Sequence, residues 1–312
     1  MTALFVDGQW RQASDNATRE IRCPADGSLV ATVPEATPDD AIAAVRAARH
    51  AFDHGPWPGT ATPDRAALLT AVADRLAAEK EQVARLEALD TGKRMVEARI
   101  DMEDVVSVFR HFAALAGAEA GRVIDPGPTH VSSRVVHEPV GVCTLITPWN
   151  FPLLQTSWKV APALAAGNTF VLKPSELTPS TAGWLVRTLD ELGLPKGVAN
   201  LILGAGGRVG PALTSDEDVD LVSFTGGLVT GRTIMAAPAP TVKRIALELG
   251  GQKPNIGFAH APRGAAPGKS RRPAPDEAIT SARAEVSTLI SSGEFARATD
   301  KYIALLDKDA DA

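Results

Sequence analysis

Four short segments contain the residues best suited to chemistry. Each segment follows a run of apolar residues that predicts a buried strand. Asn150, in the first segment, has a side-chain amide that can donate a hydrogen bond to a developing oxyanion. Glu248, in the last segment, is a carboxylate near an apolar strand end, which suits proton abstraction near neutral pH. The segments are residues 147–152, 173–176, 224–227 and 248–251.

The elements that must position these segments alternate between strand and helix from residue 131 onward. This alternation predicts an α/β fold with a doubly wound parallel sheet. Ligands in such sheets bind beyond the carboxyl ends of the strands, so the four segments predict one shared pocket. Strands are predicted as two runs within 135–147 and at 169–172, 199–203, 221–224 and 243–248, with helices at 153–165, 178–192, 208–213 and 231–237.

A mostly helical segment precedes the sheet. Residues 4–10 predict a short strand that turns at Asp7-Gly8, and a second short strand ends near Val33. Helices begin near Thr37 and Thr62, because in each Thr-Pro-Asp sequence the threonine can cap, the proline fits the first turn and the acid favours the positive end. The predicted domains are residues 1–130 packing on the sheet domain, 131–258 forming it, a Pro/Gly/Arg-rich linker at 259–275 and a helical tail at 276–312.

Composition excludes several classes of function. The net charge of −5 and pI of about 5.7 argue against a nucleic-acid-binding protein. No apolar stretch reaches the roughly 18 residues that would predict a membrane span. The first ten residues lack the basic and apolar pattern of a secretory signal. Two widely spaced cysteines do not form a disulfide framework, and together these features predict a cytoplasmic protein.

The four segments, in this order, resemble the aldehyde dehydrogenase family over residues 1–258, with the betaine and broad-specificity members the most similar. The resemblance implies oxidation of an aldehyde to a carboxylate with NAD(P)⁺ and water. It implies that Asn150 faces the oxyanion and that Glu248 is the general base that activates the hydrolytic water. Two structural alternatives stay open: an Asx turn beside Pro148, and a strand-end Glu248 held by the backbone N–H groups of Gly250 and Gly251.

The resemblance also implies a dinucleotide site. Glu176 can accept hydrogen bonds from ribose hydroxyls and would repel a 2′-phosphate, which favours NAD over NADP. The alternative is a solvated helix start at which Ser175 or Glu176 only caps. Leu228 replaces a hydroxyl residue common in the family, so no contact is expected there. The predicted cofactor-binding residues are Ile146, Thr147, Pro148, Trp149, Lys173, Ser175, Glu176, Gly206, Gly210, Phe224, Thr225, Gly226, Gly227, Thr230, Leu249 and Gly250.

The thiol that the family's reaction requires has no evident counterpart. Cys143 lies in an apolar run and Cys23 in an amino-terminal turn, so neither is expected to be a nucleophile. We therefore expect a chain without the catalytic domain, without the family's dimer-forming strand and inactive alone. Three hypotheses follow: a family enzyme, an NAD-binding pseudoenzyme or partner module, and a degraded gene fragment. A frameshift, a deletion or a fusion would each explain the tail after residue 258.

Overall fold

The structure, a computed structural model, describes residues 3–118, 121–125, 127, 130–237 and 242–250. The predicted linker at 259–275 and tail at 276–312 lie outside these residues. The strands are β1 (Leu4–Val6), β2 (Gln9–Arg11), β3 (Thr18–Arg22), β4 (Leu29–Pro34), β5 (Arg122–Ile124), β6 (Ser133–Val135), β7 (Val142–Ile146), β8 (Thr169–Lys173), β9 (Ala199–Leu201), β10 (Leu221–Gly226) and β11 (Arg244–Leu249). The α-helices are α1 (Pro38–His54), α2 (Thr62–Thr91), α3 (Met95–Ala118), α4 (Pro152–Ala165), α5 (Ser180–Glu191), α6 (Gly206–Ser215) and α7 (Leu228–Ala236), with a 3₁₀ turn at Trp57–Gly59.

The predicted parallel sheet is confirmed. Its strand order is β11-β10-β7-β8-β9-β1-β2, and the five strands β7 to β11 are parallel to one another. In the parallel part of the sheet, the chain runs from β7 outward through β8 to β9. It then returns, and β10 lies on the other side of β7. This reversal is the topological switch point at which α/β sheets bind ligands. The runs at β7 and β8 are buried along their whole length, as strands covered on both faces must be.

Helices cover both faces of the sheet. Because parallel crossovers are right-handed, the reversal puts α4 and α5 on one face and α6 and α7 on the other. The long antiparallel pair α2 and α3 packs against α4, and α2 also packs against α5. Helix α1 packs against β7, β8, β9 and α6. Its predicted start is confirmed: Thr37 accepts a hydrogen bond from the backbone of Asp40, and the Asp40 carboxylate accepts one from the backbone of Thr37.

The amino-terminal hairpin is part of the main sheet. Strand β1 pairs antiparallel with β9 through Phe5 and Leu201, and β2 pairs with β1 across the predicted turn. Asn200 fixes this edge, since its side-chain oxygen accepts a hydrogen bond from the Asp7 backbone at 3.0 Å. The sheet is therefore mixed, and the amino-terminal segment supplies two of its strands.

Some predicted elements need correction. Strands β3 and β5 were not predicted, because their residues are mostly exposed and show no apolar run. The first of the two runs predicted within 135–147 ends at Val135 and pairs with β5 in a separate two-stranded sheet. Pro139 and Gly141, whose φ is +128°, separate it from β7. Helix α5 starts at Ser180 rather than residue 178. Among the described residues, no helix combines the length and hydropathy that crossing a membrane requires.

Candidate functional site

A cavity of about 1020 Å³ opens at the switch point between β7 and β10. Every residue predicted for catalysis or cofactor binding lines it. The cavity is also lined by residues that are not among the predicted site residues, namely Gln155, Trp158, Leu177, Gly207, Pro211, Thr214, Ser215, Val229, Thr233, Ile234 and Ala237. Most of these lie on α4, α6 and α7, so the helices form walls around a floor made by the strand ends.

The pairing register of the parallel strands brings the residues of that floor to the same level of the sheet. Ile146 is paired with Lys173 on one side and with Phe224 on the other. Thr225 is paired with Glu248 one step further along. Because the strands are parallel, these residues reach the same edge of the sheet together. The register thus explains why segments far apart in sequence meet in one cavity.

The end of β8 places a cation and an anion side by side. Lys173 is buried, and its Nζ donates to the Pro174 carbonyl at 3.0 Å and lies 3.5 Å from the Glu176 carboxylate. Burial lowers the pKa of Lys173, and the negative charge of Glu176 opposes that change. Ser175 Oγ accepts the Leu177 backbone N–H at 3.3 Å. Since α5 begins only at Ser180, neither Ser175 nor Glu176 caps it, and Glu176 faces the cavity instead.

A glycine-rich segment, residues 204–210, leads into α6 and forms its first turn. Gly206 and Gly210 lie in the helix and line the cavity, so the helix starts two residues before its predicted start. A Cβ atom added at either position would meet no atom within 4 Å outside the neighbouring backbone of the helix. The amino-terminal end of α6 therefore presents bare backbone toward the cavity, which suits an anionic group.

The end of β10 contributes an unpartnered hydroxyl. Thr225 Oγ1 is buried and has no hydrogen-bond partner among the described residues, although Thr225 lines the cavity. A ligand that supplies a polar group here would satisfy it. Gly226 and Gly227 lead from this residue into α7. Leu228, where no contact was expected, does not line the cavity.

The turn after β7 forms the mouth of the cavity. Trp149 is 58% exposed, and Asn150 next to it is also exposed. Trp158, on the following helix, is 49% exposed and lines the same cavity. The turn and this helix, which also carries Gln155, therefore present two side-chain amides and two indole rings to a ligand.

Glu248 has a neighbour that the sequence did not reveal. Its side chain is exposed, because β11 is the edge strand of the described sheet. Lys159 of α4 is buried, and its Nζ donates to Ser223 Oγ at 2.9 Å. Burial lowers the pKa of Lys159 to about 8, and the charge of Glu248 opposes this shift. Lys159 is the one charged residue of α4, and a single lysine gives no periodic signal in the sequence that would have indicated its role.

Both cysteines are buried away from the cavity. Cys143 is 3% exposed within β7, and burial raises its pKa to about 12. Cys23 is 5% exposed in the turn after β3. Neither lines the cavity, so the prediction that neither is a nucleophile is consistent with their surroundings.

The switch-point crevice, the bare helix terminus and the acid at the end of β8 are features of dinucleotide-binding α/β folds. The family model described as "Aldehyde dehydrogenase family" matches residues 10–266, which extends somewhat beyond the predicted limit near 258. The chain belongs to the aldehyde dehydrogenase family.

Individual relatives agree with this assignment. A betaine aldehyde dehydrogenase of Bacillus subtilis is 48% identical over 258 residues, 83% of this chain and 53% of the relative. Aminoaldehyde dehydrogenase 2 of Solanum lycopersicum is 43% identical over 82% of this chain and 51% of its own length. The crystal structure of Staphylococcus aureus betaine aldehyde dehydrogenase in complex with NAD⁺ matches with a TM-score of 0.79 and 47% identity, over 80% of this chain and 50% of that one. The chain thus spans about half the length of these relatives.

Proposed function

We propose that residues 131–258 bind NAD⁺ in the cavity at the switch point. The observation that carries the proposal is the unpartnered, buried Thr225 hydroxyl in a cavity that also has a carboxylate at the ribose end and a bare helix terminus. The NAD⁺ complex of the Staphylococcus aureus relative supports the same choice of ligand. When bound, NAD⁺ supplies a hydride acceptor.

The residues of this chain divide the binding between them. The backbone N–H groups at Gly206 and Gly207 hold phosphate oxygens, and the Glu176 carboxylate accepts hydrogen bonds from ribose hydroxyls. A 2′-phosphate would bring two negative charges close to Glu176, so NAD⁺ binds better than NADP⁺. Lys173 keeps Glu176 in place through the 3.5 Å contact.

The same chain supplies groups for aldehyde oxidation. Asn150 donates a hydrogen bond from the mouth of the cavity to the oxygen of the substrate, and Glu248 removes a proton from the hydrolytic water. Both residues line the cavity. The relatives act on betaine aldehyde and aminoaldehydes by name. The exposed indoles of Trp149 and Trp158 are suited to such cationic aldehydes through cation–π contacts.

The reaction also requires a thiolate, and the burial of both cysteines supports the proposal that neither provides one. Cys143 is neutral at physiological pH and enclosed in the sheet. Without a covalent adduct, no hydride leaves the aldehyde. We therefore propose that the 312-residue chain alone binds NAD⁺ and does not oxidise aldehydes.

Titration with NAD⁺ tests the binding proposal. Trp149 and Trp158 line the cavity, so saturable quenching of tryptophan fluorescence is expected, together with heat in isothermal titration calorimetry. NADP⁺ serves as the comparison ligand. No signal at millimolar NAD⁺ in either method would refute binding. NADH formation from a small aldehyde that is abolished by Glu248→Gln would refute the proposed inactivity.

A further inference from the structure

A buried group of charges lies behind the turn at the mouth of the cavity. It consists of Glu87 at the end of α2, Lys93 in the α2–α3 loop and Asp101 on α3. Glu87 is fully buried, and the side chains of Lys93 and Asp101 are 11% and 7% exposed. Lys93 Nζ lies 2.5 Å from Asp101 Oδ2 and 3.5 Å from Glu87 Oε1. Charges this deeply buried are costly, so their contacts need an explanation.

Glu87 satisfies the start of α4. No side chain caps this helix at Phe151, and Pro152 has no N–H group. The backbone N–H of Leu153 therefore needs a partner, and it faces the Glu87 carboxylate, whose pKa it lowers. That carboxylate also accepts the Thr181 hydroxyl at 2.9 Å. Glu87 thus lies, from another helix, against the start of the element that begins directly after Asn150 and Phe151.

Lys93 contacts the same turn through a side chain. Its Nζ lies 4.6 Å from the centre of the Phe151 ring, a cation–π distance. Gly92 makes this approach possible, since its φ of +72° ends α2 in a left-handed conformation that turns the chain back. The turn is therefore held from behind at its aromatic side chain and at the backbone of the next helix.

We propose that Glu87 and Lys93 are positioning residues that fix the Trp149–Asn150 turn of the cavity. Neither lines the cavity, so they act through Phe151 and the first turn of α4. The groups facing Glu87 are Lys93, Asp101 of α3, the Thr181 hydroxyl of α5 and the Leu153 N–H of α4. The placement of the turn therefore depends on whether Glu87 is ionised, because only the carboxylate gives Leu153 a charge-assisted bond.

Fluorine NMR of protein labelled with 5-fluorotryptophan tests this placement without any cofactor. The Trp149 resonance is assigned by its loss in Trp149→Phe. Burial raises the pKa of Glu87 to about 7, so the Trp149 resonance should move between about pH 6 and 8. Glu87→Gln should abolish that movement. Glu81→Gln, which removes an exposed carboxylate from the same helix, should leave it intact.

Two further variants should shift the midpoint pH of the Trp149 titration in opposite directions. The positive charge of Lys93 lowers the pKa of Glu87 and the negative charge of Asp101 raises it. Lys93→Met should therefore move the midpoint to higher pH, and Asp101→Asn to lower pH. A merely structural role would not produce opposite signs. Persistence of the titration in Glu87→Gln, or displacement of both midpoints in one direction, would overturn the proposal.

The consequence for ligand binding rests on the proposed function. Lys93→Met should weaken NAD⁺ binding by about two- to fivefold, the worth of one cation–π contact. Glu81→Gln should not change it. If wild-type protein fails to bind NAD⁺ while the Trp149 titration behaves as expected, the proposed function fails and the positioning role stands. Unchanged NAD⁺ affinity in Lys93→Met, with wild-type binding intact, would refute the link between the turn and the cavity.

Discussion

Replacing Asp90 by asparagine should remove a large pH dependence of stability. Asp90, on the last turn of α2, is 4% exposed and accepts hydrogen bonds from the Ser180 backbone and hydroxyl, both at 2.8 Å. It has no ion-pair partner among the described residues. Burial raises its pKa from 3.8 to about 6, and the two hydrogen bonds from Ser180 oppose that shift. The amide introduced by Asp90→Asn keeps the shape and one acceptor but cannot ionise.

The magnitude follows from linkage. The folded protein holds the Asp90 proton up to about pH 6, whereas the unfolded chain releases it near 3.8. Asp90 therefore contributes more to the free energy of unfolding at low pH than at neutral pH, and this extra contribution is lost as the pH rises from about 4 to 6. At about 1.36 kcal/mol for each pH unit, the loss amounts to about 3 kcal/mol. The free energy of unfolding of Asp90→Asn, minus that of wild type, should rise by this amount and then stay constant to about pH 8.

Urea unfolding followed by tryptophan fluorescence at several pH values gives this difference. Taking the variant minus the wild type cancels the other titrating groups, including Glu87. Asp74→Asn is the matched control, because Asp74 lies on the same helix in an exposed pair with Arg110. Its difference should vary by less than about 1 kcal/mol. A flat difference for Asp90→Asn, or one that falls with pH, would show that the carboxyl is not held neutral by burial.

Three other predictions concern the cavity and the buried lysine of α4. Gly210→Leu should abolish NAD⁺ binding measured by calorimetry, because the leucine side chain enters the cavity. Gly210→Ala should retain binding and raise the free energy of unfolding by up to about 1 kcal/mol. Equal NAD⁺ affinity in both variants would place the ligand elsewhere. Glu176→Gln should reduce the NAD⁺/NADP⁺ affinity ratio by about tenfold or more, since it removes the charge that repels a 2′-phosphate; an unchanged ratio in parallel titrations would refute that role. The free energy of unfolding of Lys159→Met should exceed that of wild type by up to about 3 kcal/mol near neutral pH, because the wild-type lysine is costly to bury in its charged form. This difference should shrink as the pH rises from about 8 toward 10.5, where the wild-type lysine becomes neutral in the folded and the unfolded state. Urea unfolding at about pH 7 and about pH 10 measures this last effect, and an advantage that grows with pH would contradict it.

Much of the sheet could be predicted because its signals are local. The runs that form β7 and β8 are apolar throughout most of their length, and each ends at a polar or proline-containing segment. Such runs specify strands covered on both faces, and alternation with helices then fixes a parallel sheet with one ligand-binding edge. The grouping of the predicted site residues in one cavity follows from that topology. The individual roles of Asn150 and Glu248 stay predictions.

Other features depend on partners distant in sequence. Strand β3 is mostly exposed and is defined by pairing with β4 rather than by its own composition. The Glu87 and Lys93 contacts join several elements, so no local pattern indicates them. Lys159 was missed because the apolar spacing of α4 predicts a core helix in which a single lysine carries no periodic signal. Long-range contacts of this kind are visible only in three dimensions.

The pairing of β1 with β9 has a consequence for handling the protein. Strand β9 would otherwise present its outer row of N–H and C=O groups to solvent, which is the arrangement that promotes aggregation. The three residues of β1 cover it, and they are synthesised well before the strand they protect. A nascent chain must keep its first residues available until β9 emerges. An affinity tag placed before β1 should therefore be separated from Leu4 by a flexible linker, so that β1 stays free to pair with β9.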